Sequence, residues 1–340
     1  MHNAFNRGLK KLSELHKFLF EGLPVRGAIV RLTDAWQESL QRRAANTETG
    51  PYPAPVSELL GQMSAAAILM QANIKFNGAL VLQVFGDGPV KLSVVEVQPD
   101  FGFRATATVQ GEVAPDALLS HMVNQHNEGR CAITLDPLDR LPGQQPYQGV
   151  VPLFGDRKEK IEKLSEVLEH YMLQSEQLDT TLVLAANSKV AAGLLIQRLP
   201  MEGEGNLAGR YDAVERESAL GKDEDYNRIS ILSKSLKPEE LLGLDVDSIL
   251  HRLFWEEPLL RFEPLAAETG PRFQCRCSRE RVGRMIKSLG TAEVESILAE
   301  RESIEVGCEF CGQQYHFDPV DAASLFTQAE VSPPTGPGLH

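Results

Sequence analysis

The chain has 340 residues, 42% of them hydrophobic and 24% charged, with a formal net charge of -13. This composition sets aside an intrinsically disordered chain, and the acidic balance argues against general affinity for nucleic acid or anionic membranes, because phosphate contacts need clustered Lys and Arg. The most apolar windows, such as AAAILMQA from Ala65 to Ala72, fall well short of the ~20 residues of a membrane span, so no membrane association is expected.

At the N-terminus, Leu9, Leu12, Leu15 and Leu19 are spaced as one face of a helix, not as the unbroken apolar core of a signal peptide. A first helix and a cytoplasmic location are the expectations. Val25 to Thr33 reads as a strand, and DAWQESLQRR reads as a helix with Asp34 as its N-cap. After the break TETGPYPAP, a helix from Val56 to Gln71 is apolar nearly all round and should be buried.

The period then changes to that of strands. Three β-rich runs lie between Gly78 and Val113, with Gly86-Asp87-Gly88-Pro89 as hairpin punctuation between the first two. CAITLDPL, YQGVVPLF, TTLVLAA and AAGLLIQRLP add four more strands, and Lys158 to Leu173 reads as an amphipathic helix with Ile161, Leu164, Leu168 and Tyr171 on one face. Met201 to Arg228 is dense in charge and poor in aliphatics, too little to offset the entropy of ordering. Further on, Val246, Ile249, Leu250, Leu253 and Phe254 mark a helix capped by Asp245. The fold class is therefore α+β. An N-terminal domain of mostly antiparallel sheet with helices spans 1–200, and a flexible charged linker spans 201–244. A small C-terminal four-cysteine domain spans 245–330, followed by a disordered tail over 331–340.

The sharpest signal is Cys275, Cys277, Cys308 and Cys311: a CxC pair, thirty intervening residues, then a CxxC pair. The first spacing puts both side chains on one face of an extended segment. The second, CEFCG between the alternating runs SIEV and QYHF, reads as a knuckle whose turn aims backbone amides at the sulfurs, with Gly312 at the turn. Two helices fit between the pairs, one capped by Ser278 and ending at Gly290, the next capped by Thr291. A tetrahedral site holding one zinc ion on four thiolates is the expectation, and the fifth cysteine, Cys131, reads as a buried strand residue. Four ligands leave no open position for substrate, which argues against a zinc hydrolase. His316 has no vacancy to fill.

Most all-cysteine zinc sites are structural, so a purely structural metal is the broad expectation. Three features favour a switch. The segment has too few apolar residues to fold without metal. Arg276, Arg279, Arg281 and Arg284 crowd the first pair and would keep its sulfurs as thiolates, the form that oxidants attack. Each pair is also close enough for a local disulfide, the CxC ring being strained and easily reduced. A nucleic-acid-binding zinc ribbon is the main competitor. Between Pro271 and Phe317, however, seven basic residues face seven acidic ones, and nothing upstream supplies a basic stripe. A thiol oxidoreductase lacks its βαβ setting, GEGNLA at Gly203 to Ala208 follows a proline and precedes no amphipathic helix, and no phosphate-cradling GxxxxGK occurs.

At CRCSRER and CEFCGQQYHF, and also at FLFEGLPVRG, GDGPVKLSV, YQGVVPLFGD, YMLQSEQL, AAGLLIQRLP and EELL, the sequence resembles the 33 kDa chaperonin family, the redox-regulated heat-shock holdases of bacteria. The resemblance runs from about Leu15 to Phe317. It implies an ATP-independent chaperone, not an enzyme, that binds unfolding client proteins under oxidative and heat stress and is inactive while reduced and zinc-bound. It further implies disulfides between Cys275 and Cys277 and between Cys308 and Cys311, zinc release, unfolding of the C-terminal region and linker, an active homodimer, and transfer of clients to an ATP-dependent foldase. In that family the linker is the metastable region.

Overall fold

A computed structural model describes residues 12–46, 49–140, 143–155, 157–199 and 224–327. The chain divides into two compact units, Met1–Gln274 and Cys275–His340. The charged stretch expected as a linker, as far as residue 223, and the tail over 331–340 lie outside the described residues, as does Leu9.

The first unit opens with strands β1 (Glu14–Phe20) and β2 (Val25–Leu32) and helices α1 (Asp34–Ala44) and α2 (Ala54–Asn73). A meander of β3 (Gly78–Phe85), β4 (Val90–Val97) and β5 (Gly102–Val109) follows, its first hairpin turning at Gly86 to Pro89 as the sequence predicts. Then come α3 (Leu119–Val123), β6 (Arg130–Pro137), β7 (Tyr147–Pro152), α4 (Leu164–Glu176), β8 (Thr180–Ala186) and β9 (Ala191–Arg198). Beyond the undescribed stretch lie α5 (Glu224–Lys234), α6 (Pro238–Gly243), α7 (Val246–Phe254) and the short strands β10 (Leu259–Arg261), β11 (Leu265–Ala266) and β12 (Arg272–Phe273).

Two six-stranded sheets result. One runs β10-β1-β2-β9-β8, with β11 also on β1; the other runs β12-β5-β4-β3-β6-β7, antiparallel except for the β12–β5 pair. Helix α2 packs on β2, β8 and β9 of the first sheet and on β4 and β5 of the second. Apolar residues on every side of it, from Val56 to Met70, are therefore buried, as their all-round distribution predicts.

The first sheet is buried on both faces. Leu15, Ala28, Val30 and Leu195 face the α2 side, while Phe18, Phe20, Val25, Ile29, Leu194 and Ile196 face a second core closed by Tyr226, Ile229, Leu241, Ile249 and Phe254. Phe20 and Phe254 meet edge to face at 5.0 Å. This two-sided burial corrects the first expectation, because residues 14–20 form a strand, not a helix. Apolar side chains are wanted on both of its faces, so the alternation that marks a half-buried strand is absent.

It also corrects the domain boundary. Residues 224–243 form two helices on this sheet, with Tyr226, Ile229 and Leu241 buried, and Val246 to Phe254 pack there too. They belong to the first unit, and the second begins at Cys275, not at residue 245. The helix expected from Lys158 starts later, at Leu164, because Lys158 takes a left-handed turn (φ 63°) and Phe154 pairs with Lys160. Thr33, not Asp34, is the N-cap of α1, and the Asp34 carboxylate instead accepts from the Ser13 amide and hydroxyl at 2.8 and 2.6 Å.

The second unit contains α8 (Arg279–Leu289), α9 (Thr291–Glu300), the hairpin β13 (Ile304–Gly307) and β14 (Gln314–Phe317), and α10 (Pro319–Thr327). Ser278 caps α8 through the Arg281 amide at 3.2 Å, and Gly290 ends it. Thr291 is the first residue of α9 and makes no cap bond, since Gly290 takes the cap position. Among the described residues, the buried apolar cluster of this unit is Ile286, Val294, Ile304, Phe317 and Ala322. So few cannot offset the ordering of some fifty residues without a further constraint.

Candidate metal centre

That constraint is available at the four cysteines. Cys275 and Cys277 lie on the extended segment that enters α8, and Cys308 and Cys311 lie on the turn joining β13 to β14. The turn is shaped by Gly312 at φ 71°, whose amide donates to the Cys308 carbonyl at 2.8 Å, and by the Cys308 amide donating to the Gln313 carbonyl at 2.9 Å. A residue with a Cβ would be strained at that φ.

The sulfurs converge. Cys275 Sγ lies 3.4 Å from Cys277 Sγ and 3.6 Å from Cys308 Sγ, and Cys277 Sγ lies 3.4 Å from Cys311 Sγ. All four fall within 4.8 Å of one another. A tetrahedral ion with zinc–sulfur bonds of about 2.3 Å would set its sulfurs about 3.8 Å apart, so the donor set fits a thiophilic divalent metal. Among the described residues this is the one such group of His, Cys, Asp or Glu side chains.

Electrostatics point the same way. Cys275 is pulled down to about 4 chiefly by the hydrogen bond from Cys308, aided by the Cys277 amide. Cys308 is pushed up by that same bond and by burial, against the opposing Cys311 and Phe310 amides. Burial and the neighbouring sulfurs push Cys311 up to about 11. The first negative charge thus raises the cost of the next, and four thiolates at these distances require a cation. The amides of Phe310, Cys311 and Gln313 reaching the sulfurs are those the knuckle spacing predicts.

The arginines divide. Arg279 donates to the His316 carbonyl at 2.7 Å, pairs with Asp321 at 2.6 Å and stacks over Phe317 at 4.3 Å from the ring centre. It ties α8 to β14 and α10. Arg281 donates to the Arg276 carbonyl at 2.7 Å. No arginine is among the main causes of the shifts at Cys275, Cys308 and Cys311; the other sulfurs, burial and backbone amides are. His316 sits apart, 3.3 Å from Glu305 on the exposed face of the hairpin. Cys131 is fully buried in β6, and burial pushes its thiol up to about 12, which leaves it inert.

Tyr315 was not anticipated. Its hydroxyl lies close to the cluster, and the Cys277 side chain is the largest cause of its raised pKa. Period-two alternation in QYHF could have found it, since Tyr315 shares a face with the buried Phe317 while Gln314 and His316 point the other way.

The family described as Hsp33 protein matches residues 13–318. The chain belongs to the Hsp33 family. A 33 kDa chaperonin of Chromobacterium violaceum is 44% identical over 92% of this chain and 93% of its own length. One from Methylobacillus flagellatus is 43% identical over 94% and 96%. The crystal structure of the 33 kDa chaperonin (heat shock protein 33 homolog) from Thermotoga maritima aligns with a TM-score of 0.68 over 92% of this chain and 97% of that one, at 19% identity, and so shares the fold. Membership supports a chaperone role. No helix among the described residues is long and apolar enough to cross a membrane.

Proposed function

We propose that this protein is a redox-switched, ATP-independent holdase that protects unfolding proteins from aggregation, with the four cysteines as its sensor. The observation that carries the reading is the convergence of Cys275, Cys277, Cys308 and Cys311 on one point in a unit whose apolar core is too small to stand alone. Zinc bound there supplies a tetrahedral cross-link that holds the reduced unit folded. On oxidation, Cys275 pairs with Cys277 and Cys308 with Cys311. For each pair, two thiolates, two protons and one peroxide become one disulfide and two waters. The thiolates that hold the ion are thereby consumed, and the unit loses its cross-link.

The helices over residues 224–254 give the switch something to expose. They cover a sheet face rich in Phe, Val, Ile and Leu, and their release would present it to clients. The part of the expected linker between 224 and 244 acts here as a detachable cover. Non-native polypeptides are the clients, the oxidised form acts as a homodimer, and clients pass to an ATP-driven foldase. The protein works in the cytoplasm, by binding and not by catalysis, and nucleic acid is not a partner.

The test is to oxidise the purified, zinc-loaded protein with peroxide at elevated temperature while following zinc release and the suppression of a heat-labile protein's aggregation. Release and suppression should rise together. Zinc retained, or released with no gain in suppression, would overturn the switch and favour a constitutive structural zinc.

A further inference from the structure

β7 ends the second sheet, paired on one side with β6 and, among the described residues, with no strand on the other. The Leu153 amide donates to the Gly129 carbonyl at 3.1 Å, and these residues continue the β6–β7 register. By antiparallel alternation, Tyr147, Gly149 and Val151 exchange bonds with β6, and Gln148 and Val150 turn their N–H and C=O groups outward. Pro152, which has no N–H to offer, falls on the outward side, where it does no harm. Gly149 lies under Tyr171 of α4; a Cβ there would come within 2.6 Å of the tyrosine oxygen, so this face of β7 is held flat against the domain.

Another edge is closed by the chain itself. At β8, the terminal strand of the first sheet, the Glu169 carboxylate accepts the Leu182 amide at 2.7 Å. Among the described residues, the open part of β7 has no such guard. No charged residue occurs from Leu141 to Gly155, and the side chains of Tyr147 and Val150 are each 50% exposed. Natural proteins place a Lys, a bulge or a covering segment at such an edge.

We propose that this edge receives an extended, uncharged segment of a non-native polypeptide as a seventh strand, bonded through the main chains of Gln148 and Val150. The inference rests on the chaperone reading and names its capture surface. Outward amides two residues apart recognise any extended backbone, and the flanking Tyr147 and Val150 add apolar contact without selecting a charge. A second copy fits less well. Five residues bracketed by Pro146 and Pro152 bury far less than the roughly 1,000 Å² of a stable interface. Brief, reversible capture is what such an edge supports.

The probe is chemically unfolded luciferase with the oxidised, full-length protein. Its binding should slow hydrogen exchange at the Gln148 and Val150 amides, and Val150→Lys should weaken binding about tenfold, the worth of one or two hydrogen bonds and their apolar cover. Val150→Lys changes an exposed side chain and should leave zinc content and the oxidation rate unchanged. Gln148→Pro, which deletes one outward N–H, should match it if it folds; if it does not fold, exchange and the lysine variant decide. Client bound with both amides unprotected would overturn the edge alone, and so would protection that rises with protein concentration in the absence of client, which indicates a second copy. Oxidised wild type that binds no client would overturn the chaperone reading and the edge with it.

Discussion

At the residue scale, the candidate metal centre gathers sulfurs that perturb one another. Cys275 is held low by its bond from Cys308, Cys308 is driven up in return, and Cys311 is raised chiefly by burial. Two of the arginines expected to tune these thiols are occupied elsewhere: Arg279 with Asp321, Phe317 and the His316 carbonyl, and Arg281 with the Arg276 carbonyl. Arg276, between the two cysteines of the first pair, keeps the tuning role as a proposal. Two substitutions separate the roles. Arg276→Glu should slow thiol oxidation, followed by thiol titration, with little change in thermal stability. Arg279→Ala should cost the zinc-loaded second unit about 1 kcal/mol, from an exposed ion pair and a cation–π contact, with little change in oxidation rate. Equal rates for Arg276→Glu and wild type would end the tuning idea.

At the element scale, β1 was the hardest strand to read. β1 carries Leu15 toward one core and Phe18 and Phe20 toward another. A leucine spacing that mimics a helix face therefore coexists with an extended backbone. β2 to β9 were legible from apolar and β-branched runs and turn residues, since those signals do not depend on which face is covered. Edge chemistry was not legible, because Glu169 reaches the Leu182 amide only through the packing of α4 on β8. Burial raises the Glu169 pKa, against the opposing Leu182 amide and Lys234. A carboxyl with a raised folded-state pKa binds more protons folded than unfolded. Its contribution to stability is therefore largest in acid and declines as pH rises from the ordinary carboxylate range through the folded pKa. Glu169→Gln keeps an acceptor for the amide and removes the buried charge. Its stability relative to wild type should increase over that pH window, as read by urea denaturation, and a difference independent of pH would refute the assignment.

At the scale of the whole molecule, the two units rest on different supports. The first has extensive cores on both faces of one sheet, while the second has five buried apolar side chains and four converging sulfurs. Chelating the metal from the reduced protein should therefore unfold the second unit while the first persists. Trp36 and Trp255 both lie in the first unit and are the protein's two tryptophans. Their fluorescence should stay near native while amides in β13, β14 and α8 lose exchange protection. Simultaneous loss of both signals would contradict independent support.

The sequence by itself determined the four-cysteine cluster, the knuckle turn at Gly312, the Ser278 and Asp245 caps, the buried α2 and the hairpin at Gly86 to Pro89. Each of these depends on residue type and local spacing, and local geometry suffices to express it. Tertiary structure alone decided that residues 14–20 extend as a strand and that residues 224–254 close a core on the first sheet. It also decided that Arg279 turns from the sulfurs toward Asp321, that Tyr315 lies near the cysteines, and that no described strand pairs with the edge at Gln148 and Val150. Those outcomes turn on which surfaces meet across long sequence separations, and one chain read in order does not carry that information.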